Sequence, residues 1–170
     1  MDRLLCIIFV FSLLACTEPN KVNYMTQQEI DDRLYEINKE MLADEEKAIG
    51  IYLEEKGWPV KETGTGLRVH VYEQGEGDLA QTGQLALIHF TVSLLSGKEC
   101  YTSKDKEPRS FKIGEADVES GLHEGITYMK PGDKAHLVIP SHLAHGLAGD
   151  NIKIPPKATI VYDVELIALK

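Results

Sequence analysis

Apolar and polar positions change rhythm several times along the chain. Leu4 to Ala15 is an apolar run broken only by Ser12. As helix, this run would span about 18 Å, short of the ~30 Å of a bilayer core. Its length suits the core of a signal peptide, residues 1–15. Residues 16–25 turn polar around Pro19 and read as a tether. Thr26-Gln27-Gln28-Glu29 then has the spacing of a capping box. Ile30, Leu34, Ile37 and Met41 follow at helical intervals and predict an amphipathic helix. Leu42, Ile49 and Leu53 fall on another face, so with Gly50 the pattern predicts a bend or two helices. Gly57 and Pro59 end this helical segment, residues 26–58.

From Lys61 the period becomes that of strands. Leu67, Val69 and Val71 alternate with Arg68 and His70, and Leu85–Leu95 is a long apolar, β-branched stretch. Phe111–Gly114 reads as a short strand and turn. Leu122, Ile126 and Met129 share one side of a short helix within 121–129. Ala135, Leu137 and Ile139 alternate until Pro140, and Ile160–Leu169 alternates to the end of the chain. Strands interrupted by one short helix predict an α+β domain over residues 59–170, an antiparallel sheet covering that helix.

Charge removes one class of function. The chain carries a net charge of −9 without a basic stripe, whereas nucleic-acid binding needs clustered Lys and Arg to neutralise phosphates. The three cysteines are Cys6, within the signal run, Cys16 at its end, and Cys100 alone in the folded part. A lone thiol forms no internal disulfide, so cysteine usage leaves the compartment open. His142, His145 and Cys100 offer a metal reading, but no second pair has ligand spacing. Cys100 as a reactive thiol has no neighbouring sequence cue that would lower its pKa.

Leu13-Leu14-Ala15-Cys16, followed by Thr17, resembles the bacterial lipobox. The resemblance implies a lipid on Cys16, which becomes the mature N-terminus. It also implies a cell-envelope location, anchored in the outer membrane and facing the periplasm. An ordinary cleaved signal remains the other reading of the same residues.

Four blocks stand in order in the second half. They are Ile88-His89-Phe90-Thr91 with Leu95-Ser96-Gly97-Lys98; Phe111-Lys112-Ile113-Gly114; Gly121 to Ile126 with Met129 to Ala135; and Ile139-Pro140, Ala144-His145-Gly146 and Ile154 to Leu166. Together they resemble the FKBP family of peptidyl-prolyl cis-trans isomerases. The resemblance implies a curved antiparallel sheet wrapped on a short helix, with a proline pocket between them. It implies catalysis by Phe90, Tyr101, Glu119 through its backbone amide, His145 and Tyr162, and substrate contacts from Cys100, Val118, Leu122 and Ile154. No metal or other cofactor is implied. The expected partners are proline-containing polypeptide clients, among them unfolded cell-envelope proteins. The plain reading of Phe90, Leu122 and Tyr162 is hydrophobic core.

Departures from the family pattern concentrate in this pocket. Cys100-Tyr101 stand where the family has an aromatic residue and an aspartate. His145 replaces the tyrosine that bonds substrate, Leu122 replaces a tryptophan, and Glu119 replaces an aliphatic residue. Two functions stay open: an isomerase that twists X-Pro bonds in an apolar pocket, or a catalytically weak module that binds extended, proline-containing segments. Residues 26–56 are a homodimerisation arm, a helix packed on its own domain, or a spacer.

Overall fold

The computed structural model describes residues 24–115 and 117–170. The signal run, Cys16 and most of the tether lie outside them. The chain divides into two compact units, one up to Ile37 and one from Asn38 to Lys170.

Helix α1 spans Gln27–Lys56. The capping box forms: the Thr26 amide donates to Glu29 Oε2 at 2.7 Å, and the Glu29 amide donates to Thr26 Oγ1 at 3.3 Å. The helix is a single element through Gly50, so the expectation of two helices does not hold. A glycine inside a helix costs only about 1 kcal/mol relative to alanine, and packing of the flanking Ile49 and Tyr52 outweighs that. Gly57 ends the helix in the left-handed region, at φ 63°, and its amide donates to the Leu53 carbonyl at 2.9 Å. Up to Ile37 the helix exposes Ile30, Leu34, Tyr35 and Ile37 to solvent.

The rest is a seven-stranded sheet: β1 (Lys61–Glu62), β2 (Arg68–Glu73), β3 (Leu85–Leu94), β4 (Glu99–Thr102), β5 (Arg109–Lys112), β6 (Lys134–Ile139) and β7 (Ile160–Leu169). The strand order is β1-β2-β6-β7-β3-β4, β5 also pairs with β3, and every pairing is antiparallel. A short helix, α2 (Ser120–Ile126), lies against β6. The α+β expectation of a sheet on a short helix therefore holds, with β1 and β4 added to the strands legible by period.

Alternation along β6 and β7 decides what each face carries. Leu137, Ile139, Ile160, Tyr162 and Val164 join Leu122, Ile126, Met129 and Ile88 in the main core. Val138 and Val161 point to the opposite face, where they form a second cluster with Ile49 and Tyr52 of α1. Each fully buried Ile or Leu contributes about 1.5–3 kcal/mol, so the second face is a substantial part of the fold. This packing joins the C-terminal part of α1 to the unit from Asn38 to Lys170. Helix α2 approaches β6 through two glycines one turn apart. A Cβ on Gly121 would stand 2.3 Å from Ile139 Cγ2, and one on Gly125 would stand 2.5 Å from Leu137 Cδ1.

Trp58, just past α1, stacks on His136 of β6 with ring centroids 3.8 Å apart and planes 3° from parallel. Tyr72 stacks near the same imidazole, and His70 Nδ1 lies 3.5 Å from His136 Nδ1. Burial lowers the His136 pKa; the Asp163 charge opposes this, while His70 and Lys56 reinforce it. The folded chain thus takes up this proton at lower pH than the unfolded chain, whose histidines titrate near ~6.5. The stability tied to neutral His136 is complete above that value and is lost as pH falls through it toward the depressed folded value. Thermal melts should show a smaller fall in Tm between about pH 7.5 and about pH 5.5 for His136→Gln than for wild type. Equal falls would mean that this imidazole does not couple to folding.

Candidate prolyl-binding site

A cavity of about 630 Å³ opens between the start of α2, β4, and the loops before and after residue 150. Phe90, Cys100, Tyr101, Val118, Glu119, His145 and Tyr162 all line it. Leu122 and Ile154 do not; both are core residues, 1% and 2% exposed. Of the nine residues carried over from the family pattern, seven thus come together at one opening and two support it from the core.

Register places the aromatic walls. Val92 pairs with Tyr162 and Phe90 with Val164 across β3 and β7, and the Phe90 and Tyr162 rings meet with centroids 5.7 Å apart. The buried Ser103 locks Phe90 in place. Its hydroxyl accepts from the Phe90 amide at 2.8 Å, and its own amide donates to the Phe90 carbonyl at 2.8 Å. On the facing wall, the Leu122 and His123 amides donate back to the Glu119 carbonyl. The Glu119 amide is one of the helix-start donors that helical bonding cannot satisfy.

The Glu119 carboxylate turns into the cavity and is 13% exposed. Tyr162 donates its hydroxyl proton to Glu119 Oε2 at 2.9 Å. His145 Nε2 lies 3.0 Å from Glu119 Oε1, within ion-pair range, yet off the line of a hydrogen bond and buried. Burial, then the Glu119 charge and hydrogen bond, drive the Tyr162 pKa far upward, so the hydroxyl stays protonated.

Tyr101 donates its hydroxyl proton to Asp150 Oδ2. Asp150 Oδ1 accepts from the amides of Ile152, Lys153 and Ile154, at 2.9, 2.8 and 2.7 Å. Burial works against the Asp150 charge, but the bonds from Tyr101 and these amides outweigh it and hold the carboxyl below the usual range. The hydrogen bond to Asp150, then burial, pushes Tyr101 up to about 12. Lys153 crosses to the same wall, donating from Nζ to the Cys100 carbonyl at 2.6 Å. Burial raises the Cys100 pKa, which keeps the thiol protonated and argues against a reactive thiolate. Sequence reasoning missed Asp150. The available signal was the Gly149-Asp150-Asn151 turn, in which a short acidic side chain caps its own loop; Asn151 sits at φ 60°.

His142, His145 and Cys100 form no metal-binding group, and no set of three or more ligand-type side chains does so among the described residues. His142 Nε2 lies 3.0 Å from the Thr65 carbonyl instead.

Residues 77–167, more than half of the chain, match the family described as FKBP-type peptidyl-prolyl cis-trans isomerase. The chain belongs to this family. Over 120 residues it is 39% identical to the FKBP-type peptidyl-prolyl cis-trans isomerase FkpA of Escherichia coli strain K12, covering 70% of this chain and 43% of that protein. The chain thus spans less than half the length of the curated relatives it matches. The crystal structure of FkpA from Escherichia coli superposes with a TM-score of 0.66 at 32% identity, over 86% of this chain and 74% of that one. The crystal structure of AtFKBP13 gives 0.60 at 31% identity, over 65% and 98%.

Replacing Asp150 with Asn should let Tyr101 ionise below its value of about 12, toward the ordinary ~10. An NMR pH titration of the tyrosine ring signals checks this. An unmoved Tyr101 would show that Asp150 does not hold the hydroxyl.

Proposed function

We propose that this protein is a peptidyl-prolyl cis-trans isomerase that assists the folding of cell-envelope proteins. The observation that carries the proposal is the cavity itself: Phe90, Val118 and Tyr162 form apolar walls beside the free-facing start of α2. Rotation about an X-Pro bond is slow because amide resonance sets a barrier of about 18–20 kcal/mol. Walls of this kind grasp the proline ring and strip water from the carbonyl of the preceding residue, which disfavours the planar, charge-separated amide relative to the twisted one. The Glu119 amide then holds a neighbouring substrate carbonyl. His145 supplies a hydrogen bond in place of the family's tyrosine hydroxyl. No bond is broken, so no nucleophile is needed.

One observation favours the second reading, a module that binds extended, proline-containing segments with weak turnover. Glu119 brings a negative charge to the wall that meets electron-rich carbonyls, and Tyr101 is committed to Asp150. Exchange rates of X-Pro peptides, measured by NMR with catalytic protein, separate the two readings. The account expects acceleration by wild type, and a further increase of about tenfold, ~1.4 kcal/mol of barrier, for Cys100→Phe, Tyr101→Asp, His145→Tyr combined. If only the triple variant accelerates exchange, the binding-module reading replaces the isomerase one.

The envelope location rests on Cys16 and the apolar run before it; no helix among the described residues is long and apolar enough to cross a membrane. With a lipid on Cys16, the domain faces the periplasm from the outer membrane. Two or more acyl chains give stable anchoring, since each buried methylene contributes about 0.8 kcal/mol. Cys16→Ser should move the protein from the membrane fraction to the soluble one, and unchanged fractionation would sink the lipid anchor. The exposed Ile30, Leu34 and Ile37 support a homodimer through residues 26–56.

A further inference from the structure

We infer that α1 is part of the prolyl site, and that Glu45 is the positioning residue through which it acts. Glu45 lies in α1, yet its carboxylate is spent on the loops that carry the pocket. Oε1 accepts from the Ser141 amide and from Thr159 Oγ1, both at 2.6 Å, and Oε2 accepts from Ser141 Oγ at 3.0 Å. Hydrogen bonds to an ionised carboxylate are roughly twice as strong as neutral ones. Glu46 beside it goes elsewhere, to Arg68.

Ser141 passes this restraint to His145. Its carbonyl accepts from the Ala144 amide at 3.1 Å and from the Gly146 amide at 2.8 Å, the residues on either side of His145. The Gly146 carbonyl in turn accepts from the Lys157 amide at 2.9 Å, which ties this loop to the segment ending at Thr159. Thr159 immediately precedes β7, the strand that carries Tyr162. Both segments that Glu45 joins therefore lead into the cavity, one to His145 and one to Tyr162. These are the residues that face the Glu119 carboxylate from two sides, at 3.0 and 2.9 Å. A displacement of about 1 Å at such a site lowers turnover by up to about a hundredfold.

Glu45 is separable from the packing of α1. Ile49 and Tyr52 hold the helix on the sheet through Val138 and Val161, whereas the Glu45 carboxylate bonds Ser141 and Thr159. Removing the carboxylate should loosen the pocket loop while the helix stays docked.

The test compares Glu45→Ala, Glu45→Gln and Ile49→Ala in the full chain by amide hydrogen exchange, thermal melting and X-Pro isomerisation. Glu45→Ala should raise exchange at Ala144 and Gly146 by about tenfold or more relative to β3 amides. It should also lower kcat/KM by about tenfold, mainly through kcat. Glu45→Gln, which keeps an acceptor oxygen, should recover part of both. Ile49→Ala should lower Tm at least as far and leave the Ala144 and Gly146 protection unchanged relative to β3. Exchange at those two amides that rises no more in Glu45→Ala than in Ile49→Ala would overturn the proposal. The kinetic arm rests on the isomerase reading and the exchange arm does not. Absent wild-type turnover would count against the enzyme, and the exchange result would still decide the role of Glu45.

Discussion

The antiparallel pairing of β6 with β7 is the constraint on which the molecule depends. Its register, from Lys134 opposite Glu165 to Ile139 opposite Ile160, sends Leu137, Ile139, Ile160 and Tyr162 to one side and Val138 and Val161 to the other. A slip of one residue would exchange the two sets. The first set builds the core under α2 and sets one wall of the pocket; the second builds the seat of α1. Both helices are therefore positioned by one ladder. The glycines of α2 make this tight, because Gly121 and Gly125 leave no room for a Cβ against Ile139 and Leu137.

On that frame the pocket balances apolar grip against local charge. Phe90, Val118 and Tyr162 offer the dry surface that an X-Pro bond needs. Of the acidic residues that line it, Asp150 and Glu119 are engaged within the wall. Asp150 closes its own loop and holds the Tyr101 hydroxyl. Glu119 holds the Tyr162 hydroxyl and faces His145. Two separate polar groups therefore flank the opening, one at Glu119 and one at Asp150.

Much of this was legible in the order of residues, for reasons that differ from place to place. Strands β2, β3, β6 and β7 could be read because one face is buried and polar residues mark the other. The capping box announced the start of α1. Its continuity through Gly50 could not be read, because the deciding partners, Val138 and Val161, lie about ninety residues or more away on strands whose second face reads as open. Phe90, Tyr162, Val118 and His145 were placed by the family blocks. The acidic hub at Asp150 escaped because its acceptors serve local amides, which leave only a turn signal. Glu45 escaped because a glutamate on an acidic stretch of helix reads as a solvated face.

The central claim is that the wall between α2 and β7 receives proline-containing segments. Titrating isotope-labelled protein with an unlabelled X-Pro peptide and following amide shifts tests it most directly. The account predicts that Glu119, Tyr101, His145 and Tyr162 move together, with one midpoint. Shifts confined to the outer face around Trp58 and His136, with those four unmoved, would contradict it.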